Sequence, residues 1–384
     1  MMNLARALRL LPHDGPAEPA RLIAFAGAGG KTTAIFQLAR ALSAAEGQPT
    51  VVSATSHLGT WQIPLADAHV IAGQPGDLEP LPDAQVTLVT GPLEGDRTLP
   101  VPPKVVARLA ELCSGRGLRL LIEADGSRGR PLKAPAAHEP PIPESAELVV
   151  VTAGLNGLGQ PLDEGRVHRP DRFAALAKLQ MGAPVTAEAL TRLLMHPDGG
   201  LKNIPPSARR AVLLNQAETP ELKAAGGRMA KVLLDAFDSI VVGSLQETEF
   251  HTFERTAGIV LAAGGSARLG QPKQLLDWRG LPFVRAVART ALEAGLDPVI
   301  AVTGAYGDQV AAALSRLPVQ VVHNREWQEG QASSIRAGLH ALDAGGSPSP
   351  PFIGSVIFLL VDQPQVTASV LRALVEIHSA ELHS

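Results

Sequence analysis

Short apolar runs alternate with helix-length segments along almost the whole chain, and this alternation limits the fold more than any other feature. RLIAFAG is followed by KTTAIFQLARALSAAEG, whose apolar residues recur at helical spacing and which stops at Gly47. PTVVSAT, AHVIAG and QVTLVTG come next, then a helix over about residues 103–112, then LRLLIEADG. ELVVVTAG, RAVLLNQAE and DSIVVGSL extend the series. Such runs need helices above and below them, so the rhythm predicts a mostly parallel sheet inside a three-layer α/β domain over residues 1–250.

A second βα series starts near residue 257. GIVLAAG leads to the helical pattern PFVRAVARTALEAG, and DPVIAVTG, PVQVVHN and SVIFLLVD supply three further strands. QVAAALSRL and QASSIRAGLHALDAG separate them as helices, and linkers such as GGSPSPP are rich in Gly, Pro and Ser. The series predicts a second three-layer α/β domain, Rossmann-like, over residues 257–384. One helix, TASVLRALVEIHSA, follows the fourth strand, and the expectation is a domain that is incomplete at Ser384.

Composition removes several functional classes. Lys and Arg number 34 against 37 Asp and Glu, which leaves no global field to recruit nucleic acid, and the 11 histidines are scattered. The single cysteine, Cys113, excludes an intrachain disulfide and a multi-thiolate metal site, and it fits a reducing cytoplasm. No stretch of about 18 uncharged apolar residues marks a membrane span. MMNLARALRLLPHDG is broken by arginines and reads as a short amphipathic helix rather than a signal peptide. The expectation is a cytoplasmic protein with no nucleic-acid or membrane partner; the oligomeric state is not encoded.

GAGGKTT, residues 27–33, nearly matches the phosphate-loop pattern G-x-x-x-x-G-K-[ST], with Phe25 in the place of the first glycine. It lies between a strand and a helix, where N–H groups and the helix dipole converge on an anion. Gly27, Gly29 and Gly30 permit close approach, Lys31 reaches terminal phosphates, and Thr32, beside Thr33, offers a hydroxyl to Mg2+. LRLLIEADG brings Glu123 and Asp125 to one side of a strand end, with Asp125 the preferred metal ligand. A plain strand–helix turn and two solvated carboxylates are the bland alternatives.

SATSHLG places Thr55, Ser56 and His57 at another strand end, where they contact substrate or merely cap a turn. LLNQAE follows the base-reading pattern N-K-x-D only at Asn215, since Gln216 and Glu218 replace the lysine and the aspartate. Asn215 is therefore a base-binding candidate without a guanine preference, and the nucleotide is ATP or GTP.

GAGGKTT, SATSHLG, EADGSRGRPLKAP, HEPPIP, TAGLNGLGQPL and VHRPDRF occur in that order over residues 20–250. In this the chain resembles the selenium-dependent hydroxylase accessory proteins, also called selenium cofactor biosynthesis proteins. The resemblance implies a P-loop-like accessory domain with a nucleotide-dependent step in maturing a selenium-containing molybdenum hydroxylase, the client. It adds His57, Asp125, Arg128, Lys133, His138, Glu139, His168 and Arg169 to the candidate site.

LAAGGSARLGQPK, residues 261–273, again follows a strand. Leu261 and Ala262 lead into Gly264, Gly265 and Ser266, whose backbone donors cradle a triphosphate, while Arg268 and Lys273 offset its charge. The dinucleotide pattern G-x-G-x-x-G is absent. Asp362, after SVIFLLV, is placed to bind Mg2+, or else to cap a turn. GQASSIRAGL sets Gly330, Ser333 and Ser334 at a helix start, for nucleotide contact or for simple capping.

With NREWQEGQASSIRAGL and the DQP loop, this segment resembles the MobA-like nucleotidyltransferases, and within them the molybdenum cofactor cytidylyltransferases. Leu269 stands where these often carry methionine. The resemblance implies Mg2+-dependent transfer of a cytidylyl group from CTP to molybdopterin-bound molybdenum cofactor, with release of pyrophosphate. It also implies about 60 further residues after the DQP loop, so that catalysis by this chain alone is in doubt. A sugar-phosphate nucleotidyltransferase and a nonenzymatic, nucleotide-switched maturation chaperone are the competing functions.

Overall fold

The computed structural model describes residues 2–11, 19–266, 269–343 and 352–381. Among these the chain divides after Phe253, with a second unit over Glu254–Ser379. The first unit contains β1 (Leu22–Gly27), β2 (Thr50–Ala54), β3 (Ala68–Ile71), β4 (Val86–Thr90), β5 (Arg119–Glu123), β6 (Leu148–Gly154), β7 (Arg209–Asn215) and β8 (Ser239–Ser244). They form a sheet in the order β8-β7-β6-β1-β5-β2-β4-β3, and their pairings are parallel.

Side-chain alternation along β1 feeds two separate cores. Leu22 and Ala24 enter one face, packed with Val105, Leu109 and Cys113 of a helix over Pro103–Arg116. Ile23 and Phe25 enter the other, against Ile35, Leu38 and Leu42 of the helix Lys31–Glu46. The result is a three-layer α/β unit, and it explains Phe25. That residue is still strand, paired in register with Glu123 and Val150 and fully buried, so the turn begins only at Gly27. Burial also pushes the Cys113 thiol up to about 12, which makes it a packing residue rather than a nucleophile.

The short helix at the N-terminus spans Leu4–Ala7, and the one read to about residue 112 continues to Arg116. Three helices are absent from the sequence reading: Pro170–Ala177, Ala187–Leu194 and Pro220–Leu233. Each has acidic residues in its first turn, and Thr186 and Thr219 cap the latter two through their hydroxyls. The first two are only 8 residues long, too short for periodicity to stand out in sequence.

The second unit is built on β9 (Glu249–Ala262, whose first residues belong to the first unit), β10 (Val299–Thr303), β11 (Gln320–His323) and β12 (Ile353–Leu360). Within it the order is β11-β10-β9-β12, all parallel. Val260 and Ala262 pack on one side with Val284, Val287 and Leu371. Ile259 and Leu261 pack on the other with Ala341. The linker GGSPSPP lies outside the described residues. Among the described residues no helix is long and apolar enough to cross a membrane.

Candidate functional site

In the first unit, β1 ends in a loop whose glycines are fixed by geometry. Gly27 has φ +95°, and a Cβ there would lie 2.2 Å from the Thr152 carbonyl oxygen on β6. Gly29 and Gly30 also take left-handed φ values, and Gly30 begins the Lys31–Glu46 helix with no side-chain cap and no acidic residue in the first turn. The helix therefore offers its first N–H groups to whatever sits in the loop. Gly27→Ala is expected to destabilise the protein by about 2–4 kcal/mol, from strained φ and backbone overlap, as read by urea denaturation.

Around this loop lies a buried chain of alternating charges. Lys31, 3% exposed, donates to the Gly27 carbonyl at 2.6 Å and stands 3.4 Å from Asp125 and 3.8 Å from Glu123. The Thr32 hydroxyl donates to Glu123 at 2.7 Å. Asp125 accepts from the Gly27 N–H at 3.0 Å and from Lys133 at 2.7 Å. Lys133 uses its three donors on Asp125, the Gly126 carbonyl and Glu139, the last at 2.9 Å. Arg169 grips Glu139 with two parallel bonds of 2.7 and 2.9 Å. A two-residue ladder pairing Leu132–Lys133 with Val167–His168 brings these distant segments together.

Burial pushes the Glu123 carboxyl above its ordinary range, against the pull of Lys31. Burial acts on Glu139 the same way, but hydrogen bonds from Arg169 and Lys133 outweigh it and hold that carboxyl at about 2. His168 is held down at about 4, first by burial and then by the charges of Arg169 and Lys133. An unfolded imidazole takes its proton near 6.5 and the folded one only near 4, so stability falls as pH drops through that window. Glu139 adds a second loss between 4.5 and about 2. His168→Asn is expected to flatten the dependence of the urea midpoint on pH between 6.5 and 4 while leaving the lower window in place.

The remaining first-unit candidates separate by position. Asn215 is buried, donates to the Gly29 carbonyl at 2.7 Å and accepts from the Leu245 N–H at 3.0 Å, so both ends of its amide brace the loop. Thr33, Arg128 and His138 are exposed, Arg128 at a left-handed turn. His57 is exposed at the end of β2, which leaves the sheet beside Glu123: the Thr55 N–H donates to the Glu123 carbonyl at 3.0 Å. Lys202 and Asn203, absent from the sequence reading, hold the 136–140 segment through its carbonyls.

In the second unit, Leu261 and Ala262 are buried at the end of β9, and the loop from Gly264 follows. Lys273, across that loop, pairs with Asp362 at 2.7 Å. Asp362 comes just after β12, whose Leu360 is the register partner of Leu261. Lys273 holds the Asp362 carboxyl below its ordinary range by hydrogen bonding and charge. Arg268 lies outside the described residues.

Three loop contacts here have no signal in the sequence reading. Gln274 is fully buried and donates to the Ala262 and Gly264 carbonyls at 3.0 and 2.6 Å, closing the loop. Ser266 accepts from the Lys273 N–H at 3.0 Å. A Cβ at Gly265 would lie 2.9 Å from the indole of Trp327, which brings the 324–331 segment against the loop. Ser333 and Ser334 are buried and both accept from Asn324, and Ser333 donates to the Glu326 and Gly330 carbonyls. Their hydroxyls brace the segment around Gly330 from inside the fold.

Comparison with known proteins bears on both halves. Residues 23–171 match the YqeC protein family model, and residues 258–382 match the MobA-like NTP transferase domain. Over 261 residues the chain is 31% identical to the uncharacterized protein YqeC of Escherichia coli K12, covering 64% of this chain and 96% of that protein. The chain belongs to the YqeC family. In it a YqeC-family N-terminal domain is fused to a MobA-like NTP transferase domain. The second segment is 35% identical over 122 residues to nicotine blue oxidoreductase of Paenarthrobacter nicotinovorans, covering 32% of this chain and 56% of that protein. It is also similar to the crystal structure of Rv0371c from Mycobacterium tuberculosis H37Rv, with 34% sequence identity and a TM-score of 0.28. That similarity covers 33% of this chain and 61% of the Rv0371c chain. The chain thus spans less than two thirds of either of these two proteins. The family matches support a nucleotidyltransferase-type activity in this YqeC-family fusion.

Proposed function

We propose that the second unit transfers a cytidylyl group from CTP to the terminal phosphate of molybdopterin-bound molybdenum cofactor, releasing pyrophosphate. The observation that carries this reading is the Lys273–Asp362 pair, which joins the far side of the Gly264–Ser266 loop after β9 to the end of the adjacent parallel strand β12. A Cβ at Gly264 would meet nothing within 4 Å, so the exposed backbone is open to close approach by phosphates. An acceptor phosphate oxygen attacks the α-phosphorus, the bond to the bridging oxygen breaks, and pyrophosphate departs in line. Lys273 moves from Asp362 to the departing phosphates, and Asp362 is freed to hold Mg2+. Bound Mg2+ supplies charge neutralisation between triphosphate and acceptor.

The first unit, on the same reading, is a P-loop-like accessory domain that binds ATP or GTP with Mg2+ and serves maturation of a molybdenum hydroxylase in the cytoplasm. Its glycine cradle and uncapped helix start fit a phosphate, and Lys31 is within the loop that would receive it. Thr32, Glu123 and Asp125 would hold the metal: Thr32 already donates to Glu123, and Asp125 accepts from Gly27 and Lys133 at the same strand end. Among the described residues no group of three or more His, Cys, Asp or Glu side chains is placed to hold a metal. A Mg2+ ion here would accordingly take ligands from nucleotide phosphates as well as these side chains. Incubation with molybdenum cofactor, Mg2+ and each nucleoside triphosphate, with products resolved, tests the pairing. Pyrophosphate released with a sugar phosphate instead would replace the acceptor, and none with any acceptor would remove the activity.

A further inference from the structure

The segment that follows β2 displays an aromatic ring from an unusually well-anchored backbone. Residues 58–60 run antiparallel to residues 96–98: Thr98 N–H donates to the Leu58 carbonyl at 2.8 Å, and Thr60 N–H donates to the Asp96 carbonyl at 2.9 Å. Gly59 pairs with Arg97 in the same short bridge. Leu58 is buried in the core, so alternation turns His57 and Gly59 outward. Gly59 has ordinary extended backbone, φ −75° and ψ 141°. A Cβ on it would nevertheless lie 2.4 Å from the indole of Trp61. Glycine is needed there to seat the ring, which lies across position 59 on the side that carries His57.

The seated indole is 67% exposed. His57 Nδ1 is 2.9 Å from the Thr98 carbonyl oxygen. A carbonyl can only accept, so Nδ1 carries a hydrogen, and the neutral ring presents Nε2 as an acceptor. The neighbouring Asp96 carboxylate sits 3.9 Å from Arg97, which offsets its charge.

We propose that Trp61 and His57 form the recognition subsite for a second substrate of the first unit, a planar nitrogen heterocycle with an N–H donor on its edge. The ring stacks on the indole and its N–H meets His57 Nε2. The subsite opens at the strand end beside Glu123, on the flank opposite Asn215. This rests on the reading of the first unit as a nucleotide-binding domain, and it places the ring on a molecule other than ATP or GTP.

The test uses the full chain with adenosine, guanosine, cytidine and pterin as free ring compounds, and separately Mg2+-ATP, Mg2+-GTP and Mg2+-tripolyphosphate, all by calorimetry. At least one free ring is expected to bind, with affinity lowered roughly 5- to 100-fold by Trp61→Ala and within about 3-fold of wild type in Trp61→Phe. Gly59→Ala, which pushes the indole aside, is expected to weaken ring binding as well. ATP, GTP and tripolyphosphate affinities stay unchanged in all three variants. No binding of any free ring, or equal binding in Trp61→Ala, overturns the subsite. An equal loss of ATP or GTP affinity in Trp61→Ala, with tripolyphosphate spared, assigns the ring to the donor nucleotide instead. Failure of ATP, GTP and tripolyphosphate to bind the wild type overturns the nucleotide reading, a result separable from the ring titration.

Discussion

Lys31→Met is expected to lower ATP and GTP affinity of the first unit by roughly 100- to 1000-fold, the usual cost of losing one charged donor in a buried phosphate site. Methionine keeps the stem that packs in the loop and removes only the ammonium. The fold should tolerate the change. Asp125 retains Lys133 at 2.7 Å and the Gly27 N–H at 3.0 Å. Glu123 retains the Thr32 hydroxyl, and burial already pushes its carboxyl up, so it takes a proton rather than remain an unpaired charge. Calorimetric titration with Mg2+-ATP and Mg2+-GTP measures the loss, and an unchanged thermal midpoint separates it from unfolding. Full-strength binding by the variant would mean that the loop is a structural turn, with Lys31 serving only Gly27 and the two carboxylates.

Asp362→Asn carries the second large effect, a fall of about 100-fold or more in CTP-dependent pyrophosphate release. The amide keeps the shape and still accepts from Lys273, but it lacks the charge that would hold Mg2+. Lys273→Ala should fall by a similar factor for the opposite reason, since it removes the cation that meets the departing pyrophosphate. The 2.7 Å contact between the two is an exposed ion pair, with side chains 36% and 44% exposed, so its own contribution to folding is small. Both variants should therefore remain folded. The assay is single-turnover pyrophosphate release with molybdenum cofactor as acceptor, and activity within threefold of wild type in either variant would remove that residue from the chemistry.

The strands were legible because burial on both faces leaves near-continuous apolar runs, as in LVVV of β6 and LLI of β5. The first glycine loop was legible because its strand, turn and helix follow one another directly. The rest depends on meetings between distant segments. Lys133, Glu139 and Arg169 lie on separate stretches of sequence, and only the short ladder at Lys133 and His168 joins them into one chain of ion pairs. Alternation put Glu123 and Asp125 on one side but carried no sign of which receives Thr32. Gln274 is an ordinary polar loop residue in sequence, and its role appears only where two carbonyls converge on its amide. Ser333 and Ser334 showed the reverse: their place at a helix start was plain, while their inward bonding to Asn324 was not.

The central claim is that one chain carries two separate nucleotide sites. Equilibrium dialysis with labelled CTP and labelled ATP or GTP, in Mg2+, tests it most directly. The wild type should bind one CTP and one purine nucleotide per chain without mutual displacement. Lys31→Met should abolish only the purine site and Lys273→Ala only the CTP site. A single shared site, or loss of both nucleotides in either variant, would contradict the account.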